Sequence, residues 1–335
     1  YKSIHSLHQN SQTEFIFLPK NEEQRNQYRK SIRFIDRLKL FITMRIQLLY
    51  FMSLLFMMTI CYDLPGAKTN LYIHVKKNTI EIGEYKGKHL CSKKFKSYKI
   101  DHIDKEEIKR YLLGKEEEIV LYYIHCWLGN ISFYNKSSIS ALQKLEGIDK
   151  TISIKWEGKG LNYHKNWINS KNEGRKIGEL FEYLVHSPHK NNVLLCHSMG
   201  HEVFTGLYES LKPDEQYFKI IFMASADLPK DILGNELKEL PAMTQDLYIY
   251  EHNKDRFLQF ATIVHKQKRL GLPDTMDSEV YQLISNLTII NVTCLNGRNW
   301  INPSNHIYFK DHSGVREDMN DRLHSFTCNK SKSRY

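Results

Sequence analysis

From residue 69 the chain alternates. Leu71, Ile73 and Val75 fall on one face and Tyr72, His74 and Lys76 on the other, and Thr79-Ile80-Glu81-Ile82 repeats the pattern. Alternation with period two marks strands with one buried face, so residues 69–100 predict an antiparallel ribbon of two or three strands. Beyond residue 116 the pattern changes. Short apolar runs at Ile119–His125, Ile152–Trp156, Asn192–His197, Phe218–Ala224, Leu247–Glu251 and Leu287–Val292 alternate with helical stretches near 138–147, 166–187, 199–211, 230–240 and 255–268. Strands of four to eight apolar residues separated by helices are buried on both faces. They predict an α/β fold, a mostly parallel sheet with helices on both sides.

A third pattern precedes these two. Ile46 to Tyr62 runs without a charge directly behind Arg45. At the helical rise it spans ~25 Å, a little short of a bilayer core of ~30 Å. A short apolar stretch behind a positive flank predicts a signal peptide or membrane anchor over 44–62. The protein is then exported or anchored in the cell envelope, and cytoplasmic only if the run is a core helix. Residues 1–43 contain no Met and read as a leader, untranslated or disordered. The expected organisation is leader 1–43, apolar helix 44–62, β-rich segment 63–116, α/β domain 117–327 and basic tail 328–335.

Composition narrows the partners. With 335 residues, 41% hydrophobic and 26% charged, the chain can bury a sizeable core and is not mostly disordered. Its six Cys contain no C-x-x-C pair, which excludes a disulfide scaffold and the usual structural zinc spacing. The net charge is +10, but residues 1–45 supply +5 of it and the last six residues +3. The body is close to neutral and carries no nucleic-acid motif, so the basic termini read as solvated tails. No nucleic-acid partner is expected.

The segment with most chemistry is Val193-Leu194-Leu195-Cys196-His197-Ser198-Met199-Gly200-His201. A buried strand runs into Ser198 and a helical stretch follows, as in a nucleophile elbow. That turn is tight, so the positions two before and two after the Ser must be small. Gly200 and Cys196 meet the requirement. A Ser hydroxyl needs a base, and the base needs a partner that holds its tautomer. Asp255, in the loop after Leu247–Glu251, is the first candidate acid. Asp227 is the second choice, because Ala226 and Leu228-Pro229 suit a helix entry where Asp serves as a cap. His306, in the loop after the last strand, is the candidate base, with His312 and His324 as alternatives. An oxyanion hole needs two backbone N–H donors. Met199 supplies one, and the loop after the first body strand, at Cys126 or Trp127, the other. His197 and His201 stand four apart with His125 elsewhere, which invites a metal reading. The zinc-protease pattern, however, needs a Glu beside its first His on an unbroken helix. Ser198 occupies that place and Gly200 interrupts the helix, so no metal is expected.

These marks have a family resemblance. The segment from about 117 to 312 resembles the α/β-hydrolase superfamily, and within it a bacterial esterase/lipase-like family of unknown function. The matching features are His125 after the first strand, Trp156 ending the second, His197-Ser198-Met199-Gly200, Asp255 with the later Arg269-Leu270-Gly271, and His306 before Ile307-Tyr308-Phe309. The resemblance implies a Ser198–His306–Asp255 triad acting on a small-molecule acyl substrate, with no cofactor and no metal. One departure bears on activity. The family usually has Gly after the first-strand His, where backbone with φ > 0 can approach a substrate oxygen, and this chain has Cys126. Lys155 and Glu157 add charge near the second strand's end. Two readings follow: a serine hydrolase of carboxylesterase or lipase type, and a catalytically silent hydrolase fold serving as an envelope interaction module.

Overall fold

A computed structural model describes residues 68–86, 91–113, 118–127, 132–158, 162–186, 191–273, 279–295 and 304–332. The leader and the apolar run at 44–62 lie outside the described residues. Among the described residues no helix is long and apolar enough to cross a membrane.

The chain begins with strands β1 (Thr69–Val75), β2 (Thr79–Lys86) and β3 (Cys91–Lys99) and helix α1 (Lys105–Leu112). It continues through β4 (Val120–Ile124), α2 (Ser132–Leu142), β5 (Lys150–Trp156), α3 (Tyr163–Arg175), α4 (Gly178–Val185), β6 (Asn192–His197), α5 (Gly200–Tyr208) and β7 (Phe218–Ala224). The last elements are β8 (Thr244–Glu251), α6 (Arg256–His265), α7 (Glu279–Gln282), β9 (Leu287–Asn291), α8 (Tyr308–Asp311) and α9 (Ser313–Lys332). The strands form one sheet in the order β3-β2-β1-β5-β4-β6-β7-β8-β9. The predicted ribbon is present, with β1 antiparallel to β2 and β2 to β3. It is not set apart, because β1 pairs in parallel with β5 along its whole length. From β1 to β9 every neighbouring pair is parallel.

The two faces of the sheet bury separate sets of side chains, as alternation requires. In β6, Leu194 and Cys196 join Phe181 of α4 and Phe204 of α5 on one face. Val193 and Leu195 join Leu142 of α2 and Val315, Met319 and Leu323 of α9 on the other. All six residues of β6 are buried. The central strands are therefore apolar runs. β1 departs from the one-faced alternation expected of it, being buried from Asn70 through Ile73, with Tyr72 packed against Tyr85 and Ile139, and β2 alternates only in part.

Three helical expectations differ from the structure. The stretch 166–187 breaks at Ile177, whose φ of −121° and ψ of 13° leave the helical region before Gly178 starts α4. The helix expected near 138–147 begins earlier, at Ser132, and Gly147 takes a positive φ beyond its end. The stretch 230–240 forms only 3-10 turns at Ile232–Gly234 and Leu240–Met243. Its apolar spacing is real, since Leu228, Ile232, Leu233, Leu237 and Leu240 are buried. Gly234 and Asn235, at φ −124° and ψ −100°, break the ladder.

Parallel strands bring their C-terminal ends to one rim, where ligands bind in open α/β sheets. Register sets His197 opposite Ala224 and Ala224 opposite Tyr250, so residues 198, 225 and 251 start the rim side by side. Truncating Ile221, buried in central β7, is expected to cost about 2–5 kcal/mol. Chemical denaturation of Ile221→Ala measures this, and a loss below about 1 kcal/mol would contradict the packing described.

Candidate active site

Ser198 follows β6 directly and takes φ 55°, a left-handed backbone that an L-residue enters at a cost of about 1–3 kcal/mol. Its N–H donates to the Ala224 carbonyl at 3.1 Å, which ties the turn to β7. Gly200 shows why the following position must be small. A Cβ there would lie 2.6 Å from the Ile124 carbonyl oxygen and 2.7 Å from that of His125. The end of β4 thus lies directly against the turn. One residue on, His201 Nδ1 donates to the Ser198 carbonyl at 2.7 Å. Burial drives the His201 pKa down to about 3, so the ring is neutral.

Asp255 and His306 meet across 51 residues. His306 Nδ1 lies 2.9 Å from Oδ1 and 2.8 Å from Oδ2 of Asp255, which is fully buried. The carboxylate also caps α6, its Oδ1 accepting from the N–H groups of Phe257 at 3.1 Å and Leu258 at 3.0 Å. A carboxylate at a helix N-terminus is favoured by the orphan donors and by the dipole. The loop bearing His306 is stitched to the same corner, because the Arg256 N–H donates to the Ser304 carbonyl at 3.0 Å. An acid facing Nδ1 makes that nitrogen the donor and leaves Nε2 as the acceptor.

The His306 loop is also joined to the strand of Ser198. His197 Nε2 donates to the His306 carbonyl at 2.9 Å, and Ser225 Oγ donates to the same carbonyl at 2.8 Å. The two imidazoles lie 4.9 Å apart. Burial holds the His197 pKa well below its ordinary value, so no second positive charge opposes one on His306. Ser225 starts the rim after β7 as Ser198 does after β6, and it too is left-handed, at φ 47°. Its N–H donates to the Tyr308 hydroxyl at 2.6 Å, which donates in turn to the Tyr250 carbonyl at 2.7 Å.

Asp227, the second-choice acid, is otherwise engaged. Arg269 Nε donates to its Oδ1 at 2.8 Å and the Tyr163 hydroxyl donates to its Oδ2 at 2.6 Å. Arg269 is 1% exposed and also holds the Asp227 carbonyl at 2.6 Å. No α-helix follows Asp227, so the cap role belongs to Asp255 instead. Glu202, buried in the first turn of α5, has its pKa raised to about 7 by burial, against the pull of Arg269. His312 and His324, the alternative bases, lie elsewhere: His312 ends α8, and His324 Nε2 is 2.8 Å from Glu146 on the surface.

The loop after β4 is set by a reciprocal pair. The Trp156 N–H donates to His125 Nε2 at 3.3 Å, and Trp156 Nε1 donates to the His125 carbonyl at 3.1 Å. His125 Nδ1 in turn donates to the Cys126 carbonyl at 2.6 Å. Carbonyl and N–H point opposite ways across a trans peptide, so the Trp127 N–H is directed away from the His125 ring. Cys126 is not among the residues with positive φ. The strain expected of a Cys in place of Gly therefore does not arise.

Of the residues expected from the sequence, Ser198 and Met199 directly follow β6, Cys126 and Trp127 follow β4 after His125, and Asp255 lies four residues past β8, while His306 comes from a loop well beyond β9 and is brought to Asp255 by folding. Sequence reasoning missed Ser225, Glu202 and Tyr163. Ser225 had a signal, as a Ser ending a buried apolar run. The other two are brought in only by folding, since Tyr163 lies 64 residues from Asp227.

A mostly parallel sheet with a strained Ser between strand and helix, and a His held by an acid from another strand end, defines an α/β hydrolase. The family model described as "Alpha/beta hydrolase of unknown function (DUF900)" matches residues 104–320. The chain belongs to that family. No curated protein and no solved structure matches it.

Two substitutions test the separate roles of these acids. Asp227→Asn strips the neutralising charge from buried Arg269 and is expected to cost about 3–5 kcal/mol. Asp255→Asn keeps an amide oxygen to cap α6 and costs less. Denaturant unfolding ranks them, and the reverse order would contradict the assignment. Glu202 makes a pH prediction. The folded carboxyl keeps its proton to about pH 7, whereas an unfolded one releases it near 4.5. Between those values the folded state binds more protons, so stability falls as pH rises through the window and the full penalty applies above it. Glu202→Gln is expected to exceed the parent in stability at pH 8 and to converge with it near pH 4.5. An equal gap at both pH values would refute this.

Proposed function

We propose that this protein is a serine hydrolase of carboxylesterase or lipase type, acting through Ser198, His306 and Asp255. The observation that carries the reading is the buried Asp255–His306 hydrogen bond, in a loop whose His306 carbonyl is held by His197, the residue before Ser198. Ser198 Oγ attacks the ester carbonyl carbon while His306 Nε2 takes the hydroxyl proton. The bond to the alcohol oxygen breaks and His306 returns the proton to the departing alcohol. Water then repeats the sequence on the acyl-enzyme: His306 takes a water proton, the hydroxyl adds to the carbonyl carbon, and the Ser198 ester bond breaks to release the acid as His306 returns the proton to Ser198 Oγ. Asp255 fixes the tautomer of His306 and stabilises the imidazolium.

The developing oxyanion is held by two main-chain donors. Met199 follows the nucleophile at the N-terminus of α5, where N–H groups and dipole favour negative charge. The Trp127 N–H is the second, and the packing of the β4 end against Gly200 supports its proximity. Cys126 takes no left-handed backbone, which supports the active reading over the silent module on that one point. In this reading the apolar run at 44–62 gives the enzyme its exported or membrane-anchored location.

The test is hydrolysis of short-chain aryl esters by the parent, Ser198→Ala and Asp255→Asn. Ser198→Ala is expected to lower kcat by about 10⁴-fold or more, and Asp255→Asn by about 10⁴-fold, with the folded signal retained. Parent and Ser198→Ala turning over at the same rate would overturn the mechanism.

A further inference from the structure

Of the six large hydrophobic side chains exposed among the described residues, three stand on one helix, α6: Phe260 at 51%, Ile263 at 76% and Val264 at 37%. Exposed apolar residues scattered singly need no explanation, but a run of them does. At 100° per residue, Phe257, Phe260, Ile263 and Val264 make one stripe beside the face that buries Leu258 and Ala261. The stripe begins at the site. The Phe257 ring lies 4.8 Å from the His306 ring. A second line of contacts arrives from the oxyanion side: Trp127 meets Tyr163 edge-on at 5.7 Å, and Tyr163 meets Phe260 at 5.8 Å. Tyr163 is fixed in that pose, since its hydroxyl donates to Asp227 and accepts from His265 Nε2 at 3.1 Å. Its polar end is turned into the buried ion pair and its ring remains on the apolar track.

We propose that this stripe seats the acyl chain of the substrate, so that the enzyme favours esters of medium and long apolar acids over acetates. The inference rests on the hydrolase reading above. Continuity identifies the occupant. The carbonyl oxygen held at the Trp127 N–H belongs to the acyl group, and the rings leading from Trp127 end at Phe260. From Phe257 to Val264 the helix rises ~10 Å, a length matched to a single medium acyl chain. The stripe is one helix wide and starts beside the His306 ring.

The experiment compares p-nitrophenyl acetate, p-nitrophenyl octanoate and octyl acetate with the parent and Phe260→Ser, and follows the oligomeric state of both proteins by sedimentation. The parent is expected to prefer the octanoate in kcat/KM. Phe260→Ser is expected to reduce that preference at least about tenfold, the factor set by burying one aromatic side chain. Ile263→Ser, more exposed and so less able to disturb folding, is expected to reduce it in the same direction. An unchanged octanoate-to-acetate ratio in both variants overturns the proposal. So does a ratio that changes only for octyl acetate, which would put the alcohol chain on the stripe. A parent dimer that dissociates on Phe260→Ser with an unchanged ratio overturns it in favour of a second copy. A folded parent that hydrolyses none of the three esters removes the hydrolase reading and this proposal together, whereas equal turnover of acetate and octanoate removes this proposal alone.

Discussion

The main-chain carbonyl of His306 is the point on which the site depends. It accepts from His197 Nε2 and from Ser225 Oγ, donors that sit at the ends of two adjacent central strands. His306 comes from a loop beyond the last strand, and a loop alone sets a side chain poorly. Two buried donors on rigid strands convert that loop into part of the rim. The same contact puts the imidazole within reach of Asp255, whose own carboxylate is pinned by the first N–H groups of α6. Position therefore passes from sheet to carbonyl to ring to acid, and each step is a hydrogen bond between groups shielded from water. Such bonds are worth more than exposed ones because an unmet partner would remain desolvated.

Electrostatics sorts the many ionisable groups near this rim into roles. His125, His197 and His201 are all buried and all held neutral by desolvation. They act as donors and acceptors of fixed tautomer rather than as charges. Asp227 and Arg269 neutralise each other under Tyr163, and Glu202 beside them favours its protonated form. Asp255 faces an imidazole rather than a guanidinium. Two carboxylates at neighbouring strand ends thus differ in function through their partners.

Much of this was legible in the chain. The buried strands Asn192–His197 and Phe218–Ala224 are visible as bounded apolar runs, because a strand covered on both faces needs no polar positions. Ser198 is visible because a tight turn demands a small residue at Gly200. Asp255 is visible as a polar residue just beyond a strand, and His306 as a His in the loop region after the last one. Other features depend on pairing across long separations and leave no local trace. The parallel junction of β1 with β5 is one, and it merges the ribbon with the main sheet. The engagement of Asp227 by Arg269 is another, and the local cap signal there was misleading because Gly234 and Asn235 break the helix that the apolar spacing suggested. Ser225 does end a visible apolar run, but the partner it holds, a backbone carbonyl 81 residues away, leaves no local trace.

The central claim is that Ser198 is a nucleophile activated by His306. A fluorophosphonate probe, which reacts with an activated Ser and not with an ordinary one, tests it directly when the modified peptide is located by mass spectrometry. The account predicts one adduct, on Ser198, formed by the folded protein and abolished by prior unfolding. A folded protein that takes up no probe, or that carries the adduct on Ser225 or another Ser, would contradict it.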